Sequence, residues 1–222
     1  MRSRYFIVAV IFGLSVLSLS MLRQSPVSSV PAVLSFRIGQ TFEEVVSAST
    51  YPVVERSNVP THTYLQAGET FVTESAVVLV FNDPKYGFRL PPTKFALVGY
   101  THNRVDTVAT TPLLEKVSFD RAVAVVENLQ NQFKSSGWEP WREDGSTWFD
   151  LTIEGKKQLY ARMFQPGFSQ EATLRVPNKY GMTFRLWCAK GCSTGQHPYL
   201  FMIDIGISDD IEGRIQSRAK RQ

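Results

Sequence analysis

Histidine and cysteine are scarce in this chain of 222 residues, and that scarcity narrows its chemistry at once. His62, His102 and His197 stand far apart, so no segment carries the two closely spaced histidines of a local metal site. The only two cysteines, Cys188 and Cys192, have neither C-x-x-C redox spacing nor a zinc quartet around them, and none follows the first apolar run, which removes a lipid-anchored form. There is no G-x-S-x-G elbow, no Walker loop and no G-x-G-x-x-G turn, so nucleophile-elbow hydrolases, P-loop enzymes and dinucleotide binders have no local signature here. The body also lacks an N-x-S/T acceptor, so it shows no glycosylation mark of a eukaryotic secretory route. These absences lead to an expectation of no catalytic residues, no metal and no cofactor.

The body also lacks an excess of positive charge, although the whole chain carries +4 and a pI near 9.1. Arg2 and Arg4 precede an apolar run, and Arg214, Arg218, Lys220 and Arg221 against Glu212 make residues 212–222 a basic tail. With both ends set aside, the body from Arg23 to Ile211 is left at about −1, so the basicity is an end effect and nucleic acid is not an expected partner.

What the sequence does have is an uncharged run from Tyr5 to Leu22. It exceeds the roughly 7 to 15 residues of a signal-peptide core and reaches the lower end of the roughly 17 to 25 that span hydrocarbon. Residues 1–22 therefore read as an inner-membrane, single-pass anchor. Arg2 and Arg4 hold the amino terminus in the cytoplasm and send the C-terminal body into the periplasm. The small-x-small triplet Ser18-Leu19-Ser20 gives the alternative, a cleaved signal and a soluble periplasmic body. Residues 23–35 are rich in Ser and Pro and read as a linker. Residues 36–211 form the body, with possible halves at 36–112 and 113–211.

Periodicity makes that body α+β, two helix-plus-antiparallel-meander layers. Thr41-Phe42-Glu43-Glu44 has the form of a capping box opening a short helix to about Ser49. Strands are predicted over Ser75 to Phe81, Tyr86 to Leu90, Phe95 to Tyr100 and Val105 to Thr110. A longer helix starts at a Ser118 cap, repeats through Ala122, Val126, Leu129 and Phe133, and stops at Gly137, a left-handed C′ position with Trp138 following. Strands are then predicted over Trp148 to Ile153, Leu159 to Phe164, Ala172 to Val176, Tyr180 to Cys188 and Tyr199 to Ile207. In an exported protein Cys188 and Cys192 are expected to form a disulfide closing a small loop.

The last strands alternate cleanly. Tyr180, Met182, Phe184, Leu186 and Cys188 form a core face, and the opposite face carries Arg162, Arg175, Arg185 and Trp187, with Asp204 as the internal acid expected to meet Arg185. Of Trp138, Trp141 and Trp148, the loop residue Trp141 is the exposed candidate. Arg162, Arg175, Arg185, Trp187 and Trp141 together make the candidate protein-binding set, since Arg and Trp are enriched where interfaces hold their energy.

The stretch Phe36-Arg37-Ile38-Gly39-Gln40-Thr41-Phe42-Glu43-Glu44-Val45, with Pro52 after it, resembles the Ile-Gly-x-Thr-x-x-Glu-Val helix opening of small outer-membrane assembly lipoproteins and similarly built inhibitor proteins. The lipid-bearing cysteine of those proteins is missing, and this chain is longer. The resemblance implies a small helix packed on a meander and used as a protein-binding module. The expectation overall is a membrane-anchored periplasmic protein that binds another protein, most concretely an immunity or inhibitor protein occluding an exported toxin or hydrolase. The alternatives are an envelope assembly or structural accessory protein, and an envelope-polymer hydrolase using His102 or His197.

Overall fold

The computed structural model describes residues 30–59, 67–73, 76–211, 213 and 215. The anchor run, His62 and nearly all of the basic tail lie outside the described residues. Among the described residues no helix is long and apolar enough to cross a membrane.

The body is α+β, and its strands fall into two sheets. The smaller has β3 (Val77–Phe81) between β1 (Ala32–Phe36) and β4 (Phe88–Arg89), with β1 parallel and β4 antiparallel to it. The linker therefore ends earlier than its composition suggests, because residues 32–35 belong to β1. Ser35 reads as a spacer residue, yet it is 7% exposed between the fully buried Leu34 and Phe36, and its amide donates to Ser49 Oγ at 3.0 Å. The free edge of β1 is satisfied by Thr50 and Tyr51, whose amides donate to the Val33 carbonyl at 2.9 and 3.0 Å.

The larger sheet is antiparallel throughout, in the order β2 (Ala67–Val72), β5 (Ala96–Thr101), β6 (Arg104–Thr110), β10 (Leu200–Asp209), β9 (Tyr180–Lys190), β8 (Ser169–Val176), β7 (Glu139–Pro140). β6 pairs with β10, so the two sequence halves contribute to one sheet and one continuous core. β2 was not legible in advance, because Ala67-Gly68-Glu69-Thr70 has no apolar alternation.

The α-helices within the body are α1 (Phe42–Ala48), α2 (Phe119–Ser135) and α3 (Ile153–Arg162), and beyond them Ile211, Gly213 and Ile215 are helical as well. The box at α1 forms as the sequence implies, with the Thr41 amide donating to Glu44 at 2.7 Å and the Glu44 amide to Thr41 Oγ1 at 3.3 Å. α2 buries Ala122, Val126, Leu129 and Phe133 and ends in a complete Schellman motif. The Trp138 amide donates to the Phe133 carbonyl at 3.0 Å, the Gly137 amide to Lys134 at 3.1 Å, and Gly137 sits at φ +77°.

Two predicted strands are absent. Leu159 to Phe164 lies mostly in α3, whose period is four: Gly155, Leu159 and Met163 are buried in succession behind a Thr152 N-cap that accepts from the Gly155 amide at 3.1 Å. Trp148 to Ile153 joins no ladder. Its backbone is held by a side chain instead, since the Phe149 amide donates to Gln130 Oε1 at 2.9 Å and the Phe149 carbonyl accepts from Gln130 Nε2 at 3.3 Å, and Ile153 already begins α3.

The helices and the smaller sheet all meet the same face of the larger sheet. Phe133 of α2 contacts Phe184 at 5.3 Å between centroids, Tyr160 of α3 contacts Phe201 at 6.4 Å, Phe42 of α1 contacts Tyr100 at 5.4 Å and Phe81 of β3 contacts Tyr180 at 5.0 Å. That inner face also holds a polar pair. Asp83 accepts from the Lys85 and Tyr86 amides, each at 2.9 Å, and from the Tyr180 hydroxyl at 2.8 Å. Burial alone would raise the Asp83 carboxyl, but these donors outweigh it and hold it below its ordinary range. Burial first, and Asp83 second, push the Tyr180 phenol up.

Candidate functional site

The opposite face exposes Thr107, Ala109, Glu171 and Thr183, and the turn over residues 141–146 and Ile211 stand at one edge of it. The register arranges it in rows. Ala109, Gly206, Thr183 and Thr173 lie side by side, and beside them run Thr107, Ser208, Gly181 and Arg175. Both rows carry small side chains at their centre. The next row holds Asp204, Arg185 and Glu171, and the one beyond it Met202, Trp187 and Ser169.

Two arginine–tryptophan pairs flank this floor. The Arg185 guanidinium lies 6.0 Å from the Trp187 ring centroid, and that of Arg175 lies 6.0 Å from the Trp141 ring. Arg185 meets Asp204 at 2.6 Å, the internal partner expected of it, and Asp204 also accepts from Thr111 at 3.0 Å. Arg175 reaches Glu143 at 3.6 Å and Glu139 at 3.9 Å, ion-pair contacts that are both too long for a hydrogen bond. The two arginines do not stack. Arg175 stands opposite Gly181, so the Thr173–Thr183 pair intervenes and the two are separated by about 14 Å along the strands. Each pair borders its own groove. One of about 430 Å³ lies beside Trp141 and Arg175 over Gly181 and Gly206. One of about 420 Å³ lies beside Arg185 and Trp187 against the Cys188–Cys192 loop.

Cys188 and Cys192 lie at disulfide geometry, with Cα atoms 6.2 Å apart. They pin the end of β9 next to Trp187, whose Nε1 is buried with no hydrogen-bond partner among the described residues. Arg162 is a correction. It sits at the end of α3, on the side of the helices, with its guanidinium 4.4 Å from the Phe168 ring centroid, because the segment that carries it is helical and not a strand of the sheet. Trp141 is half-buried, and its Nε1 donates to Glu143 at 2.9 Å.

Neither a protein family, nor a curated protein, nor a solved structure matches this chain. The site is therefore described from its own geometry.

The histidines are not brought together. His102 and Asn103, at φ +51° and +61°, form the tight turn between β5 and β6, whereas His197 precedes the far end of β10. Among the described residues no three His, Cys, Asp or Glu side chains gather as a metal site. Two features escaped the sequence reading. The small-residue floor was present as Gly181, Thr183, Gly206 and Ser208 at alternate positions, and the acids facing Arg175 come from β7 and the turn after it, which carry no strand signal.

Proposed function

We propose that this chain is a membrane-anchored protein of a Gram-negative-type periplasm whose uncovered sheet face binds another protein, most concretely as an immunity or inhibitor protein blocking an exported toxin or hydrolase. The Tyr5 to Leu22 run behind Arg2 and Arg4 supports the anchor and its orientation. Cys188 and Cys192 at bonding distance support an oxidising compartment.

The observation that carries the reading is the pairing of Arg175 with Trp141 and of Arg185 with Trp187 on a rigid sheet face, each beside a groove. The mechanism is occlusion: the small-residue floor admits a partner's backbone close to the sheet, and the two aromatic–cation pairs anchor it. Because both arginines already hold internal acids, the partner gains orientation and specificity from them more than raw affinity.

The test is affinity capture of the full-length chain from native membranes, followed by mass spectrometry. Arg185→Glu and Trp187→Ala should each lower recovery of the partner by about tenfold or more while the unfolding midpoint stays in place. Undiminished capture by both variants rejects this surface. Recovery of envelope-assembly components in place of a toxin or hydrolase would favour the accessory role, and a hydrolytic activity lost on His197→Ala would favour the enzyme.

A further inference from the structure

On the helix side, away from that face, a cavity of about 540 Å³ opens between the start of α2, the outer side of α3 and the segment leading into β10. Its volume falls within the roughly 300–1,000 Å³ of small-molecule sites. The walls are aromatic: Phe119 lies 4.9 Å from Tyr160 and 5.3 Å from Phe201, and Phe164, behind the wall, lies 5.1 Å from Tyr160 and 4.9 Å from Tyr199. His197 extends the series, 4.0 Å from Tyr199. Among these rings Tyr160 is 38% exposed and gives the opening an accessible aromatic surface.

The rim mixes donors and acceptors. Lys156, Lys157 and His197 line the opening together with Asp120 and Ser118. Lys156 is engaged with Glu127 at 3.4 Å, whereas Lys157 has no carboxylate within ion-pair reach among the described residues. Ser118 is the N-cap of α2, yet its hydroxyl makes no capping bond, and the positive end of that helix is already met by its own Asp120. The unanswered charge is thus the ammonium of Lys157, while the Ser118 hydroxyl and the Asp120 carboxylate supply acceptors beside it.

We propose that this cavity binds a sugar ring bearing a carboxylate. The C–H face of a pyranose packs on Tyr160 and Tyr199, its hydroxyls donate to Asp120 and Ser118, and its carboxylate meets Lys157. A simple aromatic acid fits less well, because it would bring its carboxylate to the rim with no hydroxyl for Asp120. The site is independent of the sheet face and needs no bond-making step.

The test is saturation-transfer NMR and calorimetry on the full-length chain in detergent micelles, with a hyaluronan tetrasaccharide as the acidic probe and chitotetraose as the uncharged one. The acidic probe should bind roughly tenfold more tightly, the scale of one charge-assisted contact. Lys157→Glu should erase that preference and Tyr160→Ala should weaken both probes. Arg185→Glu, on the other face, should change neither, and added salt should narrow the preference. Lys157 is exposed, so its variant keeps the test valid if Tyr160→Ala lowers stability. No binding of either probe, equal binding of both, or binding indifferent to Lys157→Glu overturns the proposal.

Discussion

The two faces of the seven-stranded sheet come from the same strands and do opposite things. Along β9, Tyr180, Met182, Phe184 and Leu186 are buried, with Phe133 of α2 and Phe149 against Phe184 and with Phe81 of β3 and Trp138 against Tyr180, while the residues between them are Gly181, Thr183, Arg185 and half-buried Trp187. A period of two places these sets on opposite sides, so the inner set can be chosen for packing and the outer set for something else. The inner face gains from area removed from water. The outer face, with small residues at its centre and ions paired at its edges, contributes little to stability and is free to serve recognition.

The sharpest way to break this contrast is a pair of adjacent substitutions. Phe184 is 0% exposed and touches Phe133 at 5.3 Å and Phe149 at 5.0 Å, so Phe184→Ala should cost about 3–5 kcal/mol in denaturant unfolding. Thr183→Ala, one residue away and facing out, should stay within about 0.5 kcal/mol. Comparable losses at both positions would mean that something covers the outer face.

Asp83 and Tyr180 add a pH signature to the inner side, with an expected cost of about 1–3 kcal/mol for Asp83→Asn at neutral pH. The folded Asp83 carboxyl lies below its ordinary value of 3.8, so its contribution is whole above that value and is lost as the pH falls through the folded one. Tyr180 is raised above 10.0, so its contribution is whole below that value and is lost as the pH climbs past it. The gap between wild type and variant in thermal unfolding should be level from about pH 5 to 9 and close below about pH 4. A gap that persists at pH 2 would remove Asp83 from the account.

Helix starts sharpen the contrast at smaller scale. Thr152 caps α3 through its hydroxyl, and Ser118 begins α2 without doing so. Thr152→Ala should cost about 1 kcal/mol and Ser118→Ala close to nothing, read from urea midpoints at a common slope. An equal cost at Ser118 would mean that its hydroxyl serves the helix, and would weaken its assignment to the cavity rim.

Much of this fold was legible because it is written in local rules. The Thr41 box, the Gly137–Trp138 ending and the alternation of β9 and β10 each depend on a few neighbouring residues, and each appears where the sequence places it. The failures share a cause. Leu159 to Phe164 looks like a strand if Tyr160 and Phe164 are weighted for β-propensity, but the cap at Thr152 and the four-residue spacing to Met163 decide for helix, and Arg162 leaves the sheet with them. β1 and β2 are strands because of what they pair with, and pairing is not visible in one segment. In the same way the cavity at the start of α2 joins three segments distant in sequence, so Ser118 and His197 are visible singly in the sequence but their meeting with Lys157 and Tyr160 is not.

The smallest effect bears most directly on the outer face. Arg185 and Asp204 are 2.6 Å apart, but their side chains are 42% and 27% exposed, so water screens the attraction and the Coulombic gain is largely spent on fixing two side chains. A double-mutant cycle of Arg185→Ala and Asp204→Ala should give a coupling of about 0.2–1 kcal/mol that shrinks with added salt. Asp204 also holds Thr111, so Asp204→Ala alone should cost more than Arg185→Ala alone. A coupling above about 2 kcal/mol, insensitive to salt, would make the pair a buried structural bond. Arg185 would then be committed to the fold, and the outer face would lose one of its two anchors for a partner.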